Sequence, residues 1–162
     1  MNQKRHYMQR RVIDPLVALL KQGLSPRKLA QTVAVGVGLS LCPFVGTTTI
    51  TCTGAAFAFR LNLAAIQVVN YAVFPLQLIL MLPFIQVGIW LFGADPLPFG
   101  QAEFYALLES SPWEVVSRLW QYLLMGVAVW AISLLPLIWG LFHLLLPIFR
   151  RVAAARATVK AE

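Results

Sequence analysis

Three stretches of the chain, Leu29 to Phe59, Leu61 to Ala94 and Leu119 to Phe149, hold no Asp, Glu, Lys or Arg over 31, 34 and 31 residues. Apolar runs of this length read as membrane-embedded, because a helix of about 20 residues already crosses a hydrocarbon core. The first run is interrupted at Cys42-Pro43-Phe44-Val45-Gly46, where a proline removes a backbone donor and a glycine frees the chain to turn. Each half then holds about 13 residues and reaches roughly 20 Å, short of the roughly 30 Å core. The pattern predicts a re-entrant hairpin over residues 29–59, broken at Pro43 and Gly46. Residues 61–94 are expected to cross once, tilted, with Pro75 and Pro83 as kinks, and residues 119–149 to cross once more, kinked at Pro136. Three ordinary crossings between Leu29 and Ala94 remain the alternative, since both arrangements satisfy the same parity.

The polar segments between the runs set the orientation. Met1 to Lys28 carries a net charge of +6, Arg60 stands alone, Asp95 to Arg118 nets −3, and Arg150 to Glu162 nets +3. Basic segments near membrane spans stay on the cytoplasmic side, so both termini and Arg60 are expected inside and residues 95–118 outside. The expected organisation is a basic interfacial segment over 1–28, a membrane core over 29–94, an acidic extracytoplasmic loop over 95–118, a last span over 119–149 and a basic tail over 150–162. Within the first segment, Asp14-Pro15 starts a short helix over Pro15 to Gln22 that Gly23 ends, and Ser25-Pro26 starts the next one. Ser111-Pro112-Trp113-Glu114 has the form of a capping box opening the last helix. Trp90, Phe92, Trp113, Trp120 and Tyr122 suit the outer aromatic belt, and Gln101 to Glu109 an amphipathic surface helix. The fold class is therefore all-α integral membrane: a broken-helix hairpin, about two transmembrane helices and short interfacial helices.

Composition sharpens this. The chain is 59% hydrophobic and 12% charged over 162 residues, about half the charged fraction of a soluble domain. Too little interior exists in one such domain to bury three long apolar runs. The net charge of +7 is distributed between spans rather than on one face, which argues against nucleic acid as a partner. No secretory cleavage site follows the first run, so a multi-pass place in a bacterial inner membrane is expected. Cys42 and Cys52 lack metal-type spacing and read as packing residues. No span holds a carboxylate and no Ser-His-Asp set can be assembled, so neither an enzyme nor a cofactor is expected.

The polar residues inside the runs are the candidates for function. Thr47, Thr48, Thr49, Thr51 and Thr53 follow the break, where a half-helix N-terminus favours an anion. The same threonines can instead satisfy backbone groups freed by Pro43 and Gly46, with Gly36, Gly38 and Gly54 allowing close helix contact. Arg60 either pairs a lipid phosphate or marks topology by snorkelling. Asn62 is placed either to cap the helix after the turn or to bond back to the hairpin, Asn70 and Gln77 share a helix face, and Gln67 and Gln86 add amides. His143 is placed to cap carbonyls near Leu146-Pro147. The ligand-binding candidates are thus Thr47, Thr48, Thr49, Arg60, Asn62, Asn70 and Gln77.

Gly23-Leu24-Ser25-Pro26, the run Ala34 to Gly38, Pro43 with Gly46, Phe59-Arg60-Leu61-Asn62, and Asn70 with Pro75 together resemble the bacterial domain-of-unknown-function 2062 family over Leu16 to Gly93. The resemblance implies a small integral membrane protein and assigns no activity. The commoner family pattern has Gln soon after the central glycine and Asn-Pro in the later motif, whereas here Thr47 follows Gly46 and Tyr71 follows Asn70. The broken hairpin followed by Arg-x-Asn is also similar in architecture to the DedA and VTT membrane proteins, which implies handling of a phosphate-bearing lipid. Two function classes follow. One is transporter-like handling of an anionic lipid or other anion, which requires a homo-oligomer because one hairpin and two spans cannot enclose a pathway. The other is a structural or assembly partner of another membrane protein.

Overall fold

The computed structural model describes residues 25–44, 46–97 and 112–159, with 100, 102, 105, 106 and 109 between them. The expected helix over Pro15 to Gln22 and the Ser111 cap lie outside these residues. Four helices make up the described fold: α1 (Pro26–Ser40), α2 (Thr48–Ala58), α3 (Leu63–Phe92) and α4 (Pro112–Val159).

Local chemistry explains most of the boundaries. Ser25 caps α1, its hydroxyl accepting from the Lys28 backbone N–H at 3.3 Å, with Pro26 at the first helical position. Thr32 and Ser40 turn their hydroxyls back onto the Lys28 and Gly36 carbonyls at 2.8 and 2.6 Å, so neither is left bare in an apolar setting. The chain leaves α1 at Leu41, and Gly46 takes φ +93°, a conformation costly for any residue with a Cβ. Asn62 caps α3 as expected, its Oδ1 accepting from Ala65 N–H at 2.8 Å. α3 continues unbroken through Pro75 and Pro83, and α4 through Pro136 and Pro147. α4 starts at Pro112, as the capping pattern predicts, but runs past Arg150-Arg151 to Val159. The strong helix formers of Ala153-Ala154-Ala155-Arg156-Ala157 carry it on.

α1 packs against both α3 and α4, which also pack directly on each other, and α2 folds back along α1 and α3. Small residues permit the close approaches: a Cβ on Gly36 would meet Ile66 and Val69 at 3.1 Å, and one on Gly38 would meet Ile138 at 2.6 Å. Gly54 does not take this role, because its face of α2 opens onto empty space. Leu29, Val33, Ala65 and Val69 pack with Leu145 and Phe149 at one end of the bundle. Met81, Leu82 and Ile85 pack with Leu119 and Leu123 toward the other, where Leu97, Tyr105 and Tyr122 close over them. Tyr122 therefore turns inward, whereas Trp90, Phe92, Trp113 and Trp120 stay exposed at that end. Ala102, Tyr105, Ala106 and Glu109 are helical, and Tyr105 also donates its hydroxyl to the Ile79 carbonyl at 3.4 Å. That carbonyl is the one deprived of its helical donor by Pro83.

Leu63–Phe92 and Leu119–Ala154 are long and apolar enough to cross a membrane. Only 28% and 6% of their most apolar windows are buried against the rest of the chain, whereas the core helix of a soluble protein is mostly buried. Ile50, Phe57, Ile132, Leu135 and Trp139 are among the large apolar side chains left outside. An outer surface of this kind fits a membrane location.

Candidate functional site

The break between α1 and α2 leaves backbone groups that two other helices satisfy. Leu41 N–H reaches the Val37 carbonyl, but Cys42 N–H shifts to Leu39, so the Gly38 carbonyl loses its helical donor. Trp130 of α4 takes that carbonyl through its indole N–H at 2.8 Å. The Cys42 carbonyl, already outside the helix, accepts from Gln77 Nε2 of α3 at 2.8 Å. Thr47 closes the turn by donating its hydroxyl to the Phe44 carbonyl at 2.9 Å. The tip is thus clamped from both sides. Replacing Trp130 with Phe keeps an aromatic ring but deletes the indole N–H together with part of the indole's packing, and is expected to cost about 1–2 kcal/mol in a detergent unfolding titration.

A polar seam joins α2 to α3. Gln67 Nε2 donates to the Thr53 hydroxyl at 2.8 Å and the Thr49 carbonyl at 3.2 Å, and Asn70 Nδ2 to the Thr49 hydroxyl at 3.3 Å. Thr51 and Thr53 donate to carbonyls one turn back within α2. Most of the threonines therefore follow the structural reading, and no buried side-chain nitrogen or oxygen among the described residues lacks a partner. Gln77 is 1% exposed and committed to Cys42, and Asn70 is buried in the seam, so neither presents its amide to a ligand. Gln86 is exposed. His143 Nδ1 lies 2.9 Å from the Trp139 carbonyl, one turn before it, rather than at the carbonyls beside Pro147 to which the sequence assigned it. A histidine ring reaches its own i−4 carbonyl more readily than one further along, because side chains lean toward the helix N-terminus.

The ends of the hairpin meet. Lys28 Nζ donates to the Phe59 carbonyl at 3.3 Å, placing a cation at the C-terminal end of α2. Arg60 follows with φ +50°, its N–H on the Phe57 carbonyl at 3.4 Å, while Leu61 N–H reaches Ala56 at 2.8 Å. This pair of hydrogen bonds is the usual glycine-terminated helix stop, with arginine in the glycine place at a cost of about 1 kcal/mol. Arg27, Lys28, Arg60, Arg150 and Arg151 thus share one end of the bundle, because Leu29 packs on Phe149 and Ala65 beside them. Asp95 and Glu109 belong to the connection at the other end.

Thr47 to Thr49 and Arg60 do not form one site. They stand at opposite ends of α2, whose 11 residues span roughly 16 Å. A single phosphate cannot touch both. What the sequence did not reveal is a groove of about 1040 Å³ between α1, α2 and α4. Val35, Leu39, Ala55, Ile138 and Phe142 wall it, and Arg27, Lys28 and Gln31 stand at its mouth.

This arrangement can be compared with known proteins. The family described as an uncharacterized protein conserved in bacteria, DUF2062, matches residues 9–155. The chain belongs to this family. The DUF2062 match reaches beyond the resemblance read from Leu16 to Gly93, taking in the acidic connection and nearly all of α4. Trp130, which clamps the hairpin tip, and the α4 wall of the groove are therefore within the DUF2062 region. No curated protein and no solved structure matches the chain.

Proposed function

We propose that this DUF2062 protein is a non-catalytic, multi-pass protein of a bacterial inner membrane that handles an anionic lipid or other anion in a transporter-like manner at its basic end. The observation that carries the reading is the gathering of Arg27, Lys28, Arg60, Arg150 and Arg151 at one end, beside an apolar groove. With 15 and 11 residues, α1 and α2 reach roughly 22 and 16 Å, so each is shorter than the core and the pair enters and leaves by one face. α3 and α4 then cross, the basic end and both termini face the cytoplasm, and the acidic connection faces out. Arg60, exposed and held in a backbone conformation that glycine would adopt freely, is the strongest single candidate for contact with an anion. Two spans and a hairpin enclose no pathway alone, so the working unit is a homo-oligomer.

Reconstitution tests this. Vesicles containing the protein are expected to redistribute fluorescent phosphatidylglycerol between leaflets faster than protein-free vesicles, and Arg60→Gly to lose that rate while folding at least as stably as the parent. Redistribution no faster than in protein-free vesicles would overturn the transport reading. Orientation is checked with single cysteines at positions 46 and 60 in a Cys42→Ser, Cys52→Ser background. A position 60 that reacts with a membrane-impermeant reagent outside intact cells would overturn the re-entrant arrangement. The second reading, an assembly partner for another membrane protein, is favoured by the satisfied α2–α3 seam and the exposed Ile50 and Phe57 on α2.

A further inference from the structure

The groove between α1, α2 and α4 resolves what kind of anion suits the basic end. It follows α1 from Arg27 to Leu39, twelve residues and so roughly 18 Å. One leaflet of a roughly 30 Å hydrocarbon core is about 15 Å deep. Apart from Thr51, whose hydroxyl is spent on the Thr47 and Thr48 carbonyls, the walls are aliphatic and aromatic along that length, and the side chains able to meet a headgroup stand at the mouth: Arg27, Lys28 and the Gln31 amide. Phe59 and Leu61 flank the same mouth, which puts Arg60 between two groove residues. Lys28 uses one N–H on the Phe59 carbonyl and keeps two more. No described carboxylate lies on α1 or α2 or at this end to neutralise these cations. The inner end lies level with the hairpin break, where α1 stops at Ser40.

We infer that this groove seats one hydrocarbon chain of an anionic phospholipid drawn from the leaflet at the basic end, with the phosphate held at the mouth by Arg27 and Lys28. The inference rests on the membrane reading above and deepens it: the anion is a lipid headgroup, and the chain beneath it supplies much of the affinity. A free anion would gain nothing from the apolar walls, and a zwitterionic lipid would gain less from the mouth. α3 lines no part of the groove, so a lipid enters sideways from the bilayer between the hairpin and α4.

The experiment uses the full chain in phosphatidylcholine vesicles doped with phosphatidic acid bearing a photoreactive acyl chain, with cross-linked peptides read by mass spectrometry. Cross-links are expected on Val35, Ala55 and Phe142 well above those on Ile79 and Trp90, which lie exposed on α3 away from the groove. Changing Arg27 and Lys28 together to Ala should lower groove labelling by roughly tenfold, to the level of a photoreactive phosphatidylcholine, and leave Ile79 labelling unchanged. Ala55→Phe, which fills the groove, should lower it with the mouth intact. Free inorganic phosphate should not compete. Groove labelling no stronger than that of Ile79 overturns the inference; loss of lipid redistribution in the Arg27 and Lys28 variant would then still support the anion-handling reading. Labelling indifferent to both mouth cations overturns the headgroup assignment and counts against that reading as well. Competition by inorganic phosphate overturns the lipid and favours a free-anion site.

Discussion

Gly88→Ala is expected to force α3 and α4 apart and to destabilise the protein by about 2–3 kcal/mol. A Cβ at this position would stand 2.7 Å from the Met125 backbone carbon, 2.8 Å from its oxygen and 2.8 Å from its Cβ. Backbone atoms inside a helix cannot rotate aside as a side-chain terminus can, so the helix axes must move. The displacement would loosen the neighbouring cluster of Ile85, Leu119 and Leu123. Gly126→Ala should be milder, since its nearest neighbour is the Ile85 side chain at 3.1 Å. Gly54→Ala is the control: its added methyl meets nothing, and helix propensity favours alanine by about 1 kcal/mol. Unfolding titrations in mixed detergent should rank Gly88→Ala lowest, Gly126→Ala next and Gly54→Ala at or above the parent. A Gly88→Ala variant as stable as the parent would show that α3 and α4 are not packed as described.

Gln77→Leu should release the hairpin tip. The Cys42 carbonyl is buried and takes its hydrogen bond from Gln77 Nε2 at 2.8 Å, so an apolar replacement of similar size leaves an acceptor without a donor. Such a loss costs about 1–3 kcal/mol, and bilayer water is not available to repair it. Cys42, buried in the parent, should become reactive toward a membrane-permeant maleimide in the folded variant, while Cys52, packed with Ala56 and Ile66, stays protected. Equal protection of Cys42 in parent and variant would mean that the tip is held without Gln77. Combining Gln77→Leu with Trp130→Phe removes the clamps from α3 and α4 together. The two act on neighbouring stretches of one break, so their costs should exceed the sum of the single changes if each supports the tip that the other leaves free.

How much of this could be read beforehand differs from residue to residue. Pro43 and Gly46 announced the break because their effect is on the backbone of their own segment, and Asn62 announced its cap for the same reason. The bound of α4 at Pro112 followed from a local motif. Gln77 and Asn70 were visible as amides in an apolar run, but a sequence cannot say whether such an amide faces a ligand or another carbonyl. Here Gln77 faces a carbonyl 35 residues away, and Asn70 a threonine 21 residues away. Thr47 to Thr49 and Arg60 offer related chemistry in the sequence, and the length of α2 keeps them apart in the fold. Trp130, whose indole reaches Gly38 across 92 residues, gave no sign of its role beyond an aromatic in a span.

The sequence alone determined the all-helical class, the break at Pro43 and Gly46, the long apolar runs that become α3 and α4, and the alternation of charge, because each depends on hydropathy, proline and glycine within a short window of chain. Only the tertiary structure decided which carbonyls of the break are clamped, that the basic residues of three separate segments meet at one end, and that an apolar groove opens between α1, α2 and α4 beneath them. Those features depend on which faces of distant helices approach one another, and that is set by small residues such as Gly36, Gly38 and Gly88, whose partners no local pattern names.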